Sequence, residues 1–401
     1  MLHQPDPKTL SGPPAYFAWR VTLLYCAPMM VNGIALLYLP AYLKDLGMTD
    51  VEIGIIVSLP FLLRMIGMPI GTALADRVSD RAVVIIWSAV VSLVSAVLMF
   101  FAHSFWPVIL FYSVQSLVYA PFVPIAESIL VSGVRRWGFD YGVLRMWPSV
   151  AFVVATLLGG VLLDVYGGAM VLPAMALFFV FMLFVAIACP RLGRHEPVAR
   201  SEALGAAAGK NPFWRPDFLL VITGAALVQG SHGLLFGFAT NYWTAVGISG
   251  IEVSLLWTSG VVAEIVLFLV SGRYLTRFGH LQLVLFGCLV AVLRWTLFPL
   301  VADFWSYLAL QATHAFTFAI IHVGIQRFLM DRIGDERGAS AQGFYQFFIS
   351  VFTVAVSLAS GFIFQSYGVK GFYVMTLIAA VGVGCVIAAM RLQPHRVRSG
   401  G

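Results

Sequence analysis

Runs of about 20 apolar residues recur along the whole chain, and no other feature constrains its fold so strongly. A helix of that length crosses the hydrocarbon core of a bilayer and satisfies its own backbone hydrogen bonds there. Hydrophobic residues make up 60% of the 401 residues and charged residues only 10%, too few to cover the surface of a soluble protein. The sequence therefore predicts an all-α, polytopic membrane protein.

Twelve of these runs are predicted to be transmembrane helices, arranged in two sets of six. The sets lie near 18–43, 52–75, 82–102, 105–131, 143–165 and 169–189, and near 218–243, 252–271, 282–302, 306–330, 341–366 and 371–390. The longest polar stretch separates them. We therefore predict an N-terminal six-helix bundle over 1–190, a cytoplasmic linker over 191–216, a C-terminal six-helix bundle over 217–392 and a cytoplasmic tail over 393–401.

Lysine and arginine residues are distributed unequally between the two sides of the predicted membrane. Twelve spans put both termini on one side, and only Lys44 and Lys370 fall in loops on the other. The positive-inside rule then places both termini in the cytoplasm. This topology accounts for the formal charge of +6, so no nucleic-acid partner is expected. The four cysteines lie in apolar runs, where packing is the expected role, and no metal or cofactor is predicted.

The two sets of spans are related by a repeat at an offset of 200 residues. Gly47 falls on Gly247 and Glu52 on Glu252, and the hydropathy pattern matches along both halves. Parallel repeats of this kind are typical of secondary transporters, in which a substrate binds at the bilayer midplane. The repeat therefore favours a carrier built from two pseudo-symmetric six-helix bundles.

Six ionisable side chains are predicted to lie inside the spans, where each costs at least about 2.5 kcal/mol at mid-depth and needs a partner or a wet cavity. They are Arg64, Glu127, Arg145, Glu264, Arg294 and Arg327. The repeat sets Arg64 opposite Glu264 and Glu127 opposite Arg327, so opposite charges occupy equivalent positions. We expect these residues to face a polar cavity.

Spacing along the predicted hairpins indicates which of these groups share a depth. Glu127 and Arg145 lie nine residues either side of Arg136, so they are expected at one level. By the same argument Glu264 lies level with Arg294, and Arg294 with His314. The spans then bring an acid, a cation and an imidazole to one depth.

Structural alternatives remain open for several of these residues. Arg145 and Arg327 lie near enough to the cytoplasmic end to snorkel to the interface. Glu264 and Arg294 could instead form a static ion pair. For His232 and His322, which also lie in spans, a packed and hydrogen-bonded role is the simpler interpretation.

The segment from Thr72 to Arg81 resembles the loop between the second and third spans of the major facilitator superfamily. It reads Thr-Ala-Leu-Ala-Asp-Arg-Val-Ser-Asp-Arg, with Thr72 and Ser79 where that family has glycines. The resemblance covers the whole chain and implies the twelve-helix fold of that superfamily. It also implies a gating loop, or latch, formed by Asp76, Arg77 and Arg81.

Glu127, followed eighteen positions later by Arg145 within Asp140-Tyr-Gly-x-x-Arg145-x-Trp147, is similar to the lactose permease branch of that superfamily. The resemblance implies that Glu127 and Arg145 bind substrate. Phe152 stands where that branch has a tryptophan that stacks on the sugar, so it is the predicted aromatic contact.

The second half of the chain is similar to the same branch at its proton-coupling residues. Arg294 and His314 match that network, but Glu264 sits about one turn further along the eighth span than that branch's acid, and Thr317 stands where an acid is usual. Closer still is the likeness of Gly260-Val-Val-Ala-Glu264 and Arg294-Trp295 to phenylpropionate permease-like carriers. That resemblance implies proton-coupled uptake of an aromatic carboxylic acid.

We therefore expect a monomeric proton symporter in the bacterial cytoplasmic membrane, with a small organic substrate, protons and lipid as its partners. Glu127, Arg145, Phe152 and Arg327 are the predicted substrate contacts, and Glu264, Arg294 and His314 the predicted proton-coupling residues, with His314 as relay. Import of a sugar or nucleoside, export of a small molecule, and a sensor or enzyme on a carrier fold are the alternatives. An enzyme is not favoured, because the sequence shows neither a nucleophile with a base partner nor a metal-ligand spacing.

Overall fold

The computed structural model describes residues 12–78, 80–139, 141–191, 212–332 and 338–392, and these residues form helices and no strands. The all-α prediction is therefore confirmed. The α-helices, numbered in chain order, are α1 Phe17–Asp45, α2 Asp50–Arg77, α3 Arg81–Met99, α4 Phe105–Tyr119, α5 Phe122–Trp137, α6 Tyr141–Tyr166, α7 Val171–Ile187, α8 Pro216–Gly230, α9 Gly233–Ala245, α10 Gly250–Tyr274, α11 His280–Leu297, α12 Phe304–Ala312, α13 Ile321–Arg332, α14 Gly338–Tyr367 and α15 Phe372–Leu392.

Ten stretches of the described chain are long and apolar enough to cross a membrane. The two longest, Met146–Ile187 and Gly343–Leu392, each contain two helices joined by a short 3₁₀ turn, at Gly167–Met170 and Gly368–Gly371. Every predicted span therefore consists mostly of helix. The polytopic fold with twelve spans is confirmed.

The 200-residue repeat corresponds to repeated local structure. Gly47 and Gly247 follow α1 and α9 with φ of 78° and 91°, a left-handed conformation that suits glycine. Two residues later in each half a capping box opens the next helix. The amide of Glu52 donates to Thr49 Oγ1 at 3.3 Å, and the amide of Glu252 donates to Ser249 Oγ at the same distance. Each glutamate accepts from the backbone N–H of its cap in return.

The chain divides into two compact units. The first comprises Met1–Ser201 with Ala239–Ser254, and the second Glu202–Phe238 with Leu255–Gly401. In the first unit α1 packs against α6 and α7, and α3 packs against α4 and α7. In the second unit α15 packs against α8 and α11. Most of the predicted linker and all of the predicted tail lie outside the described residues, so the domain boundaries stay a prediction.

In the part of the chain that the structure describes, three spans are interrupted within their apolar stretch. Pro121 separates α4 from α5, and Ser231 with His232 separates α8 from α9. Between α12 and α13 the chain forms a π-helix over Ala315–Ile320. Proline removes a backbone donor, and π-helical turns are frequent at functional sites. Broken helices in transporters mark places where backbone and side chains are available to a ligand.

Candidate functional site

A buried polar cluster in the second unit is centred on Arg294 of α11, whose side chain is only 1% exposed. Its Nη1 lies 3.2 Å from His232 Nε2, 3.4 Å from His314 Nδ1 and 3.2 Å from Thr317 Oγ1. Its Nη2 donates to Gln311 Oε1 at 2.5 Å. The guanidinium is thus held by two imidazoles, a hydroxyl and an amide.

These contacts determine how the two imidazoles are protonated. A guanidinium only donates hydrogen bonds, so the ring nitrogen that faces it must accept. His232 therefore carries its proton on Nδ1, which lies 3.1 Å from the carbonyl oxygen of Val228. His314 carries its proton on Nε2, and this atom faces Glu264 Oε2 at 3.9 Å. His314 thus stands between the acid and the cation.

Glu264 of α10 is partly buried, with 23% of its side chain exposed. It makes no ion pair with Arg294, and no carboxylate of the described residues lies within ion-pair distance of that guanidinium. The structure therefore brings together the three predicted proton-coupling residues in the order acid, imidazole, guanidinium. A static pair between Glu264 and Arg294 is not formed.

Two of the interrupted spans supply this cluster. The α8–α9 break places His232 there, and Trp295 Nε1 donates to Ser231 Oγ in the same break at 2.8 Å. The π-helix begins one residue after His314 and carries Thr317. His314 and Thr317 both contact Arg294 from this turn.

His322, on α13, lies near this cluster without a hydrogen bond to Arg294. Its ring is stacked at 6.5 Å from Phe318, which is stacked in turn at 5.3 Å from His314. Phe268 meets His322 edge-on from α10 at 6.1 Å. His322 is therefore packed between aromatic rings, whereas His232 belongs to the polar cluster.

A cavity of about 280 Å³ lies in the first unit, beside the α4–α5 break. Its wall combines aromatic rings with a cation and neutral polar groups, among them Asn32, Phe61, Arg64, Gln115, Tyr119 and Phe152. The hydroxyl of Tyr119 lies 2.7 Å from the carbonyl oxygen of Pro28 and 2.9 Å from Asn32 Oδ1. The predicted aromatic contact, Phe152, thus shares a cavity with Arg64.

The remaining predicted substrate contacts lie apart from one another in what the structure describes. Glu127 is half-buried on α5. Arg145 lies on α6, but its side chain is outside the described part of the chain, so a clamp with Glu127 stays a prediction. Arg327 of α13 donates to the carbonyl oxygen of Leu275 at 2.8 Å and borders a pocket of about 370 Å³ with His280.

The predicted gating loop joins α2 to α3. Arg77 ends α2 and is exposed, and Arg81 begins α3 and donates to Ser128 Oγ at 3.1 Å. Asp80 caps α3 by accepting from the amide of Ala82 at 3.0 Å and forms an ion pair with Arg191. The side chain of Asp76 lies outside the described residues, and the latch stays a prediction.

Several residues of these sites escaped the sequence reasoning. Gln311 lies three positions before His314, on the same helix face, and Asn32 and Tyr119 are polar groups in apolar spans. Each carries a weak signal in the sequence, because a neutral polar side chain inside a span needs a partner. Pro121 marks the break beside the cavity, and no comparable residue marks the π-helix.

Comparison with known proteins identifies the family. Residues 19–375 match the MFS_1 like family. The chain is 28% identical over 377 residues to the probable 3-phenylpropionic acid transporter of Escherichia coli (strain K12), covering 92% of this chain and 94% of that protein. It is 25% identical to the maltose permease of Geobacillus stearothermophilus over 71% of each.

A solved structure agrees with the fold. The crystal structure of the nucleoside transporter NupG has a TM-score of 0.79 at 16% identity, over 94% of this chain and 98% of that one. The family match covers most of the chain, and these relatives are transporters rather than enzymes. The chain therefore belongs to the MFS_1 like family and is a transporter of the major facilitator superfamily.

Proposed function

We propose that this protein is a proton symporter that imports small aromatic carboxylic acids, such as 3-phenylpropionate, by alternating access. The observation that carries the proposal is the line of Glu264, His314 and Arg294 inside the second unit. The name of the relative that matches along 92% of the chain supports the substrate class. The aromatic cavity with Arg64 and Phe152 supports it as well.

Glu264 is the proposed site of protonation. An ionised carboxylate is costly inside a bilayer, whereas a neutral carboxyl group costs less, so proton binding would permit the conformational change. His314 presents Nε2–H toward Glu264 and its other nitrogen toward Arg294. Arg294 thereby fixes the tautomer of His314, and His314 is suited to pass a proton to or from the acid.

The substrate contacts proposed from the sequence are Glu127, Arg145, Phe152 and Arg327. An arginine binds a carboxylate with two parallel hydrogen bonds, and the ring of Phe152 offers an apolar face to an aromatic group.

We further propose that the carrier works as a monomer in the bacterial cytoplasmic membrane, with both termini in the cytoplasm. Activity of a cytoplasm-dependent reporter fused to Gly401 tests this topology.

Replacement of Glu264 by glutamine tests the proposed proton site. We expect Glu264→Gln to abolish proton-driven accumulation of 3-phenylpropionate, because the neutral amide cannot release a proton. Exchange of labelled for unlabelled substrate across the membrane should persist, since it requires no net proton movement. Uptake by cells and counterflow in vesicles measure the two activities.

The matched control is Glu252→Gln, on the same helix α10 but in its capping box. It should retain accumulation. Wild-type accumulation by Glu264→Gln would refute the assignment of the proton site. If galactosides or nucleosides inhibit uptake and aromatic acids do not, the alternative substrates are favoured over the one proposed.

A further inference from the structure

Arg64 differs from the other intramembrane arginines whose side chains the structure describes. Arg294 has four polar partners and Arg327 donates to a backbone carbonyl. Arg64 lies within the span Asp50–Ala75 and makes no hydrogen bond or ion pair with any residue of the described chain. A charge in a membrane span needs a partner or a wet cavity, and Arg64 borders a cavity that has room for an anionic ligand.

The face of α2 that carries Arg64 is turned toward α4. Gly67 and Gly71 follow Arg64 by three and seven positions, so all three lie on one helix face. A Cβ at Gly67 would collide with the backbone carbonyl of Leu117, and one at Gly71 with the ring of Pro121. Close contact with α4 and with the α4–α5 break therefore fixes this face, and Arg64 borders the cavity.

The opposite face of α2 has a different character. Leu62, Ile66 and Ile70 are 39%, 50% and 63% exposed, as expected of a surface that meets lipid. Arg64 is itself exposed, so the cavity that it borders, and not burial, distinguishes its face from theirs. A purely interfacial, lipid-directed role for Arg64 does not account for its place in the cavity wall.

The cavity wall is chemically suited to an aromatic acid. Described residues of the wall supply rings, including Phe61 and Phe152, and neutral polar groups, but no carboxylate that would compete for Arg64. The hydroxyl of Tyr119 and the amide of Asn32 are engaged with each other. Arg64 is thus the one cation presented by the described wall to a ligand inside it.

We propose that Arg64 binds the carboxylate of the transported acid, with the aromatic part of the acid against Phe61 and Phe152. A guanidinium matches a carboxylate through two parallel hydrogen bonds. The cavity volume of about 280 Å³ lies just below the ~300–1,000 Å³ typical of ligand pockets, which suits one ring with a short side chain. This inference rests on the proposed function and adds a residue to its substrate site.

The test compares an acid with its uncharged analogue on the purified full-length protein. Isothermal titration calorimetry measures Kd for 3-phenylpropionate and for 3-phenylpropionamide. The wild-type protein should bind the acid at least about tenfold more tightly than the amide, because a charged pair is worth more than one decade of affinity. Arg64→Gln should lose this preference, because it should bind the acid more weakly and the amide as tightly as the wild type does.

Two further variants make the outcome decisive. Arg64→Lys keeps the charge but not the two parallel hydrogen-bond donors, so its affinity for the acid should fall between those of the wild type and Arg64→Gln. It serves in place of the glutamine variant if that one does not fold. Arg391→Gln, at the exposed end of α15, should bind like wild type. Unchanged affinity for the acid in Arg64→Gln or Arg64→Lys would overturn the role of Arg64 and leave the proposed function standing. Failure of the wild-type protein to bind any of benzoate, phenylacetate and 3-phenylpropionate would overturn the proposed function itself.

Discussion

The buried cation of the second unit is stabilised by neutral acceptors. Arg294 is almost fully buried, and its partners are His232, His314, Thr317 and Gln311. Glu264 instead lies beyond these contacts, with Oε2 at 3.9 Å from His314 Nε2.

The contact between Arg294 and Gln311 should contribute strongly to stability. Gln311→Ala leaves Nη2 of a buried guanidinium without its acceptor, and we expect a loss of about 2–3 kcal/mol in the free energy of unfolding. Thermal unfolding of the purified protein measures the loss. Gln282→Ala is the control, because Gln282 accepts from the amide of Gly279 at an exposed helix start and its loss should cost less. Equal effects of the two substitutions would contradict the importance of the Gln311 contact.

At the scale of elements, interruptions in the spans coincide with the two candidate sites. The α4–α5 break borders the cavity of the first unit, and the α8–α9 break and the π-helix supply the polar cluster of the second. A continuous α-helix satisfies its own backbone groups and leaves little polar chemistry for a ligand. Each break therefore lies beside one of the two candidate sites.

The packing of α2 on α4 should position Arg64. Gly67→Ala places a methyl group against the carbonyl of Leu117, and the backbone must move to relieve the collision. We expect a lower unfolding temperature together with weaker binding of 3-phenylpropionate, measured by thermal unfolding with and without the acid.

Gly384→Ala provides the matched control for this substitution. Gly384 lies in α15, and a Cβ there would have no neighbour within 4 Å. Because alanine is a better helix former than glycine by roughly 0.5–1 kcal/mol, this variant should be unchanged or slightly more stable. A Gly67→Ala protein as stable as Gly384→Ala would contradict the close α2–α4 contact.

For the whole molecule, the sequence predicts the number of spans and the repeat because both depend on local patterns. Runs of apolar residues predict spans, and Gly47 with Glu52 predicts a turn and a capped helix that recur at Gly247 and Glu252. The grouping of Arg294 with His314 and Glu264 was also predictable, since hairpin spacing sets depth.

Other features depend on packing and could not be predicted from spacing. The place of His232 in the cluster requires the α8–α9 break, and the π-helix at Ala315–Ile320 leaves no clear composition signal. The position of Arg64 follows from the contact of Gly67 with α4, which is a property of two helices together. The predicted depth of a residue in the membrane could not distinguish a place in the polar cluster or the cavity wall from a static ion pair or a lipid-facing position.

Coupling of substrate movement to proton movement can be measured with the purified protein in sealed liposomes. A pH-sensitive dye inside the liposomes reports proton entry when 3-phenylpropionate is added outside. With the wild-type protein the interior should acidify faster than in protein-free liposomes, where passive entry of the protonated acid sets the rate, and with Glu264→Gln it should acidify no faster than in protein-free liposomes. Uptake of labelled 3-phenylpropionate by the wild-type protein without any proton entry would contradict the coupling of substrate to protons.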